Sequence, residues 1–250
     1  TTDTFTVVLN AQPASNVVLT VTSSDTGEAT VNSPLTFTAA NWDTPQTVTV
    51  TGVNDGSVVD GNQTSTVTVS VNDGSSNDSF DPLADQTVSV TTTDNDVPGF
   101  TVAESGGSTS VNESGTTDTF TVVLNAQPTS DVLFSLTASD ATESSVTTSL
   151  TFTPANWNTA QTATVTGLNE STVDGDQTSV ITISIVDAVS NDRFDPVADQ
   201  TVSVTTVDND TAGFTVVQSG GSTSVSEAGT TDTFTVVLNA QPISDVVLTI

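Results

Sequence analysis

The chain repeats itself over a long period. The string TTDTFTVVLNAQP begins at Thr1, at Thr116 and at Thr230, so the copies start 115 and then 114 residues apart. The one-residue difference falls near Asn54–Ser57, as expected for a surface loop. A period of this length is typical of independent domains in tandem rather than of a small-repeat solenoid. We predict three repeats: residues 1–98, which lack their first strand region; residues 99–212, a complete repeat; and residues 213–250, the first strands of a third.

Within each repeat, apolar and polar residues alternate over short runs. Phe120, Val122 and Leu124 are separated by Thr121 and Val123, and the segments between such runs are rich in Asp, Asn, Gly, Ser and Pro. This alternation indicates half-buried strands bounded by turns, and no run shows helical periodicity. About seven strands are predicted per repeat: near 99–104, 118–125, 131–138, 146–153, 161–167, 178–187 and 199–207. We therefore predict an all-β fold of tandem antiparallel two-sheet β-sandwich domains, Ig-like and with essentially no helix.

The charge of the chain excludes several functions. It has 30 acidic residues against one basic residue, Arg193, and no His, Cys or Met. Nucleic acid is excluded as a partner because phosphate binding needs clustered Lys and Arg. Membrane insertion is not expected, because no apolar run is long enough. A Ser or Thr nucleophile would have no His, Cys or Lys beside it as a base, and the acids recur in turn-like loops, so we predict that the protein is not an enzyme.

Motifs along the complete repeat resemble the Calx-β domain. They are VNESG at 111–115, LTFTPANW at 150–157, QTATVTGLNE at 161–170, VDGD at 173–176 and VTTVDND at 204–210. The resemblance spans the whole repeat. It implies an Ig-like sandwich of the kind found in arrays in large bacterial surface proteins, with Ca²⁺ bound at one end by an early Glu, loop acids and a terminal acidic triplet.

The resemblance also implies which residues would bind calcium. Carried over by position, the candidate ligands are Glu113, Asp140, Glu170, Asp174, Asp208 and Asp210 in the complete repeat, Asp25, Asp55, Asp60, Asp94 and Asp96 in the first repeat, and Glu227 in the third. Asn169 and Asn209 depart from the family pattern; each keeps an oxygen but removes a charge, which lowers the expected affinity. Independently of the family, clustered carboxylates are what Ca²⁺ needs. The alternative is that these acids stabilise turns and solvate loops.

Near-identical repeats favour a structural function. We predict an extracellular or cell-surface stalk, fibre or matrix protein whose partners are neighbouring copies of itself. Residues 99–115 or 213–229 could also be donated as strands to a neighbouring repeat. One alternative is an adhesin module that recognises a glycan or a surface, which would need an exposed patch unique to one repeat. Another is a calcium sensor within a larger protein, which would not need this degree of duplication.

Two further expectations concern the context of the chain. It opens in the middle of a repeat, so we interpret it as an internal part of a longer protein. Asn-x-Ser/Thr sequons could carry surface glycans, although they are frequent by chance in such a composition. The sequons begin at Asn62, Asn77, Asn112, Asn169 and Asn209.

Overall fold

The computed structural model describes all 250 residues, and its regular secondary structure consists almost entirely of strands. Its helical segments are four three-residue 3-10 turns, at 73–75, 105–107, 187–189 and 219–221. None of its helices has the length and apolar character needed to cross a membrane. The predicted all-β fold with essentially no helix is therefore confirmed. The chain divides into two compact units, Thr1–Val97 (unit 1) and Pro98–Ile250 (unit 2).

The strands of unit 1 follow the alternation of the sequence. They are β1 (Thr2–Val7), β2 (Val17–Ser23), β3 (Ala29–Val31), β4 (Leu35–Phe37), β5 (Gln46–Gly52), β6 (Val58–Val59), β7 (Gln63–Val71) and β8 (Gln86–Thr92). Two antiparallel sheets result, with strand orders β1-β5-β3 and β4-β2-β7-β8.

Unit 2 contains the complete repeat and the partial third repeat. The strands of the complete repeat are β9 (Phe100–Glu104), β10 (Thr109–Asn112), β11 (Thr117–Leu124), β12 (Gln127–Pro128), β13 (Val132–Ala138), β14 (Ser144–Val146), β15 (Ser149–Phe152), β16 (Gln161–Gly167), β17 (Thr172–Val173), β18 (Gln177–Ile185) and β19 (Gln200–Val207). The third repeat contributes β20 (Phe214–Gln218), β21 (Phe234–Leu238) and β22 (Gln241–Pro242).

The complete repeat forms two sheets, with strand orders β14-β16-β11-β9 and β10-β19-β18-β13-β15. All pairs are antiparallel except β10 with β19, which differs from the purely antiparallel prediction. The chain leaves β9 in one sheet and enters β10 in the other through a turn at Gly106 and Gly107, whose φ values are 66° and 84°. Glycine suits these positions because a Cβ atom disfavours positive φ.

Each sheet buries one face, as the alternation predicts. In β13, Val132, Phe134 and Leu136 are buried while the residues between them are partly exposed. The Phe134 ring packs edge-on against Phe100 at 4.8 Å and against Phe152 at 5.7 Å between ring centroids. These rings join β9 of one sheet to β13 and β15 of the other, so the core lies between the sheets. The segment 99–115 thus pairs within its own repeat, and strand donation by it is not seen here.

Unit 1 has no strand in the position that β9 occupies in unit 2. A groove with a volume of 860 Å³ lies there instead, lined by apolar side chains that include Phe5, Val7, Leu19 and Phe80. Phe5 is partly exposed, whereas its counterpart Phe120 is fully buried. The first strand region is therefore what covers this part of the core in the complete repeat.

A matched pair of glycines tests how tightly β10 packs. A Cβ added at Gly167 would lie 2.2 Å from the backbone oxygen of Asn112, whereas at the equivalent Gly52 of unit 1 the nearest atom is 3.7 Å away. We expect Gly167→Ala to lower the free energy of unfolding of the complete repeat by about 1–3 kcal/mol, because the backbone must shift. Gly52→Ala should change the stability of unit 1 by less than about 0.5 kcal/mol.

The two tryptophans allow each unit to be followed separately in urea. Trp157 reports on the complete repeat in a Trp42→Phe background, and Trp42 reports on unit 1 in a Trp157→Phe background. Equal losses of stability in the two units would contradict the packing of β10 described here.

Candidate metal centre

The acids at one end of the complete repeat are brought together by the parallel pair of β10 and β19. Asn112 lies opposite Val207 at the end of this pair. Glu113 follows β10 directly, and Asp208 follows β19 directly. Because parallel strands end at the same edge of a sheet, these acids leave the sandwich side by side. The Glu113 N–H continues the ladder by donating to the Val207 carbonyl oxygen at 3.3 Å.

Two carboxylate clusters share Glu113. In the first, ligand oxygens of Glu113, Glu170 and Asp174 all lie within 4.8 Å of one another; in the second, those of Glu113, Asp208 and Asp210 do so. We call these five residues the Glu113 centre. Calcium–oxygen distances of about 2.3–2.6 Å place two opposite ligands about 4.6–5.2 Å apart. The oxygen spacing therefore fits a cation of this size in each cluster.

Backbone hydrogen bonds hold Asp208 by both of its carboxylate oxygens and Glu113 by one. The Gly175 N–H donates to Asp208 Oδ2 at 2.8 Å, and the Asp210 N–H donates to Asp208 Oδ1 at 2.7 Å. The Asn209 N–H donates to Glu113 Oε2 at 3.2 Å. Backbone groups of the terminal Asp-Asn-Asp segment thus orient the acids before any ion is bound.

Four carboxylate oxygens of the centre are buried without a partner. They are Glu113 Oε1, Glu170 Oε1, Asp174 Oδ1 and Asp210 Oδ2. Glu113 is only 1% exposed. A buried oxygen without a hydrogen bond is costly, and more so when it carries charge. One basic residue in the whole chain cannot neutralise such a set. An all-oxygen donor set fits Ca²⁺ or Mg²⁺ rather than a transition metal.

The electrostatics of Glu113 are those of a site without positive charge. Burial raises the pKa of the Glu113 carboxyl above its usual value, and the charges of Asp208, Glu170 and Asp210 raise it further. The hydrogen bond from the Asn209 N–H opposes this rise only in part. A divalent cation would remove the repulsion among these carboxylates, as a proton does at low pH.

Glu143 is a functional candidate that the sequence analysis missed. It is 7% exposed, and its Oε2 atom is buried without a partner. Burial raises the pKa of Glu143, and so do the charges of Asp174, Asp140, Glu113 and Glu170. It therefore lies near the Glu113 centre. One feature of the sequence could have identified it. An acid stands directly before a short strand in both copies: Glu28 precedes β3, and Glu143 precedes β14.

Asp140 does not belong to the Glu113 centre. Its side chain is exposed and lies in neither cluster. Its Oδ1 atom accepts the N–H of Thr142 at 2.9 Å and the Thr142 hydroxyl at 2.6 Å. These bonds hold the pKa of Asp140 below its usual value. The structure thus places Asp140 in a turn, where it adds negative charge near Glu143.

Unit 1 gathers a smaller set of acids. Asp55 and Asp60 form a cluster with Glu28, which the sequence analysis missed. Asp94 accepts the N–H of Gly61 at 2.7 Å and that of Asp96 at 2.7 Å, as Asp208 does in the complete repeat.

The two remaining candidates lie apart from the clusters. Asp25 accepts the N–H of Gly27 at 2.9 Å, in a turn like that of Asp140. Glu227 in the third repeat is exposed. The unit 1 cluster contains no counterpart of Glu113, whereas Glu227 is the equivalent residue in the third repeat.

Comparison with known proteins gives only remote likenesses. No family model and no curated protein matches the chain, so the Calx-β resemblance stays a prediction. Among solved structures, domains 4 and 5 of the S-layer protein SbsC match with 18% identity over 76% of this chain and 70% of that chain, at a TM-score of 0.32. A structure of SbsC domains 1–6 matches with 16% identity over 89% of this chain and 28% of that chain, at a TM-score of 0.35.

A third likeness is to a protein of a different kind. The E. coli chaperone DraB matches with 8% identity over 46% of this chain and 59% of its own, at a TM-score of 0.33. TM-scores in this range carry no argument about function, and the fold assignment depends on the strands described above.

Proposed function

We propose that this chain is a structural module of an extracellular or cell-surface array, and that its repeats bind Ca²⁺ at the end of each sandwich. The observation that carries the proposal is Glu113: a carboxylate that is 99% buried, shared by two clusters and left with one unpartnered oxygen. The Calx-β resemblance points to the same end of the repeat.

The repeated design supports a structural role rather than catalysis. Equivalent acids recur in consecutive copies, and the three clusters consist of carboxylates without a nucleophile paired to a base. A cation at the junction after Asp210 would stiffen each repeat and the segment that leads into the next one. At the calcium concentrations found outside cells, such sites would be occupied even if their affinity for calcium were modest.

The proposal predicts that calcium strengthens each repeat against force. When the chain is pulled from its ends in single-molecule force spectroscopy, we expect a higher unfolding force for the complete repeat in calcium than in chelator. The physical reason is that the ion links three loops that otherwise repel one another. The variant Glu104→Gln is a suitable control, because it removes a charge outside the centre and the third repeat has Gln218 at this position. Equal forces with and without calcium would overturn the calcium-stiffened structural role.

A further inference from the structure

A short strand pair joins the complete repeat to the third repeat, in addition to the chain itself. β17 and β22 run parallel, with Thr172 opposite Gln241 and Val173 opposite Pro242. The Gln241 N–H donates to the carbonyl oxygen of Ser171 at 2.7 Å. The third repeat is therefore docked onto a loop of the repeat before it.

That loop carries two members of the Glu113 centre. Glu170 and Asp174 flank β17, one on each side, and both cluster with Glu113. Glu170 Oε2 also accepts the N–H of Thr172 at 2.9 Å, which ties this carboxylate directly to the strand. The strand on which the next repeat docks is thus positioned by candidate cation ligands.

The covalent connection between the two repeats leaves from the same centre. Asp208 and Asp210 follow β19, and β20 of the third repeat begins at Phe214. Both links from the complete repeat to the third repeat, the chain and the strand pair, therefore begin at the Glu113 centre.

The strand pair is weak on its own. It is only two residues long in each strand, and Pro242 has no N–H to donate. Without a cation, the charges of Glu170 and Asp174 repel those of Glu113 and Glu143. This repulsion favours movement of residues 170–174 away from the centre, which would withdraw β17 from β22.

We infer that cation binding at the Glu113 centre fixes the pairing of β17 with β22, so that the ion controls whether one repeat is held to the next. The inference rests on the cation binding proposed above. Both halves of the contact recur in the sequence: Gln-Pro occurs at 12–13 and 127–128 as at 241–242, and β6 of unit 1 lies between Asp55 and Asp60 as β17 lies between Glu170 and Asp174. The same control would thus act at each junction of an array.

Amide hydrogen exchange followed by NMR on the whole chain tests this inference. We expect exchange of the Gln241 amide to be at least about tenfold slower in calcium than in chelator, because the open state of the pair is suppressed. The Val237 amide lies opposite Thr215 at a hydrogen-bonded position of the β20–β21 hairpin, two residues from the Asn239 N–H that donates to the Gly213 carbonyl oxygen. It is the internal reference and should change little. Asp174→Asn should abolish the calcium effect on Gln241, and Glu104→Gln should retain it.

Calcium binding is measured on the same samples by titration calorimetry, which separates the two proposals. Calcium that binds without slowing exchange at Gln241, or a Gln241 amide equally protected in chelator, would overturn the inference and leave the proposed function intact. Absence of binding would overturn both. Slower exchange at Gln241 in the wild type, lost in Asp174→Asn, would support the inference.

Discussion

Calcium at 100 times its Kd is expected to raise the free energy of unfolding of the complete repeat by about 2.7 kcal/mol for each ion bound. Two ions, one in each cluster that shares Glu113, would give about twice this value. For a repeat of this size the melting temperature should rise by about 10 °C for each ion. The reason is that the folded repeat gathers the carboxylates and the unfolded chain does not. Trp157 fluorescence in a Trp42→Phe background reports this transition.

Screening of charge is the competing explanation for such a rise. The formal net charge of the chain is −29, so any salt should stabilise it to some extent. Sodium chloride at the same ionic strength is the necessary comparison, and magnesium is a second one, because it dehydrates less readily than calcium. A rise of the same size in sodium chloride would contradict specific binding.

Glu113→Gln is the substitution with the largest expected effect on the calcium response. Because Glu113 belongs to both clusters, this change should remove most of the calcium stabilisation of the complete repeat. In chelator the order should reverse, since the variant no longer buries a charged oxygen without a partner. The expected result is a change in the order of the melting temperatures: the variant melts below the wild type in calcium, and at or above it in chelator.

The pH dependence of the stability in chelator is a second test of the same prediction. The folded-state pKa of Glu113 and that of Glu143 are raised above the usual value of 4.5. Their stabilising contribution is therefore fully present below that value and lost as the pH rises through the raised pKa. In the window above pH 4.5 the wild type should lose stability as the pH rises, and Glu113→Gln should lose less. The lowered pKa values of Asp118 and Asp140 act below this window.

Two controls accompany Glu113→Gln. Glu104→Gln removes the same charge from the same repeat and should keep the calcium response. Unit 1, reported by Trp42, has its own cluster of Glu28, Asp55 and Asp60 and should respond to calcium in either variant. A calcium response of Glu113→Gln equal to that of Glu104→Gln would show that Glu113 is not the shared ligand.

The sequence predicted the strands well where alternation is long. The runs around Phe120, Phe134 and Ile183 became β11, β13 and β18 because each buries one face between the sheets. The parallel pair of β10 and β19 was not predicted, since it depends on a crossing between sheets at Gly106 and Gly107. β17 is too short for any pattern to be recognised, and it exists only because the next repeat lies beside it.

The candidate site was predicted less completely than the fold. Glu113 and the Asp208–Asp210 triplet follow paired strands, and the structure brings them together. Asp140 and Glu143 occupy one turn, and the sequence does not indicate which of them points inward. The hydrogen bonds to Thr142 hold Asp140 outward, and Glu143 enters the interior directly before β14. Side-chain direction within a turn depends on local backbone geometry, which composition and spacing do not encode.

The most direct test of the central claim is a crystal structure of the chain grown in calcium, with anomalous scattering used to locate the ions. We predict anomalous peaks about 2.3–2.6 Å from the carboxylate oxygens of Glu113, one toward Glu170 and Asp174 and one toward Asp208 and Asp210. Well-ordered Glu113 oxygens with no peak beside them at saturating calcium would contradict the claim that this end of the repeat is a calcium site.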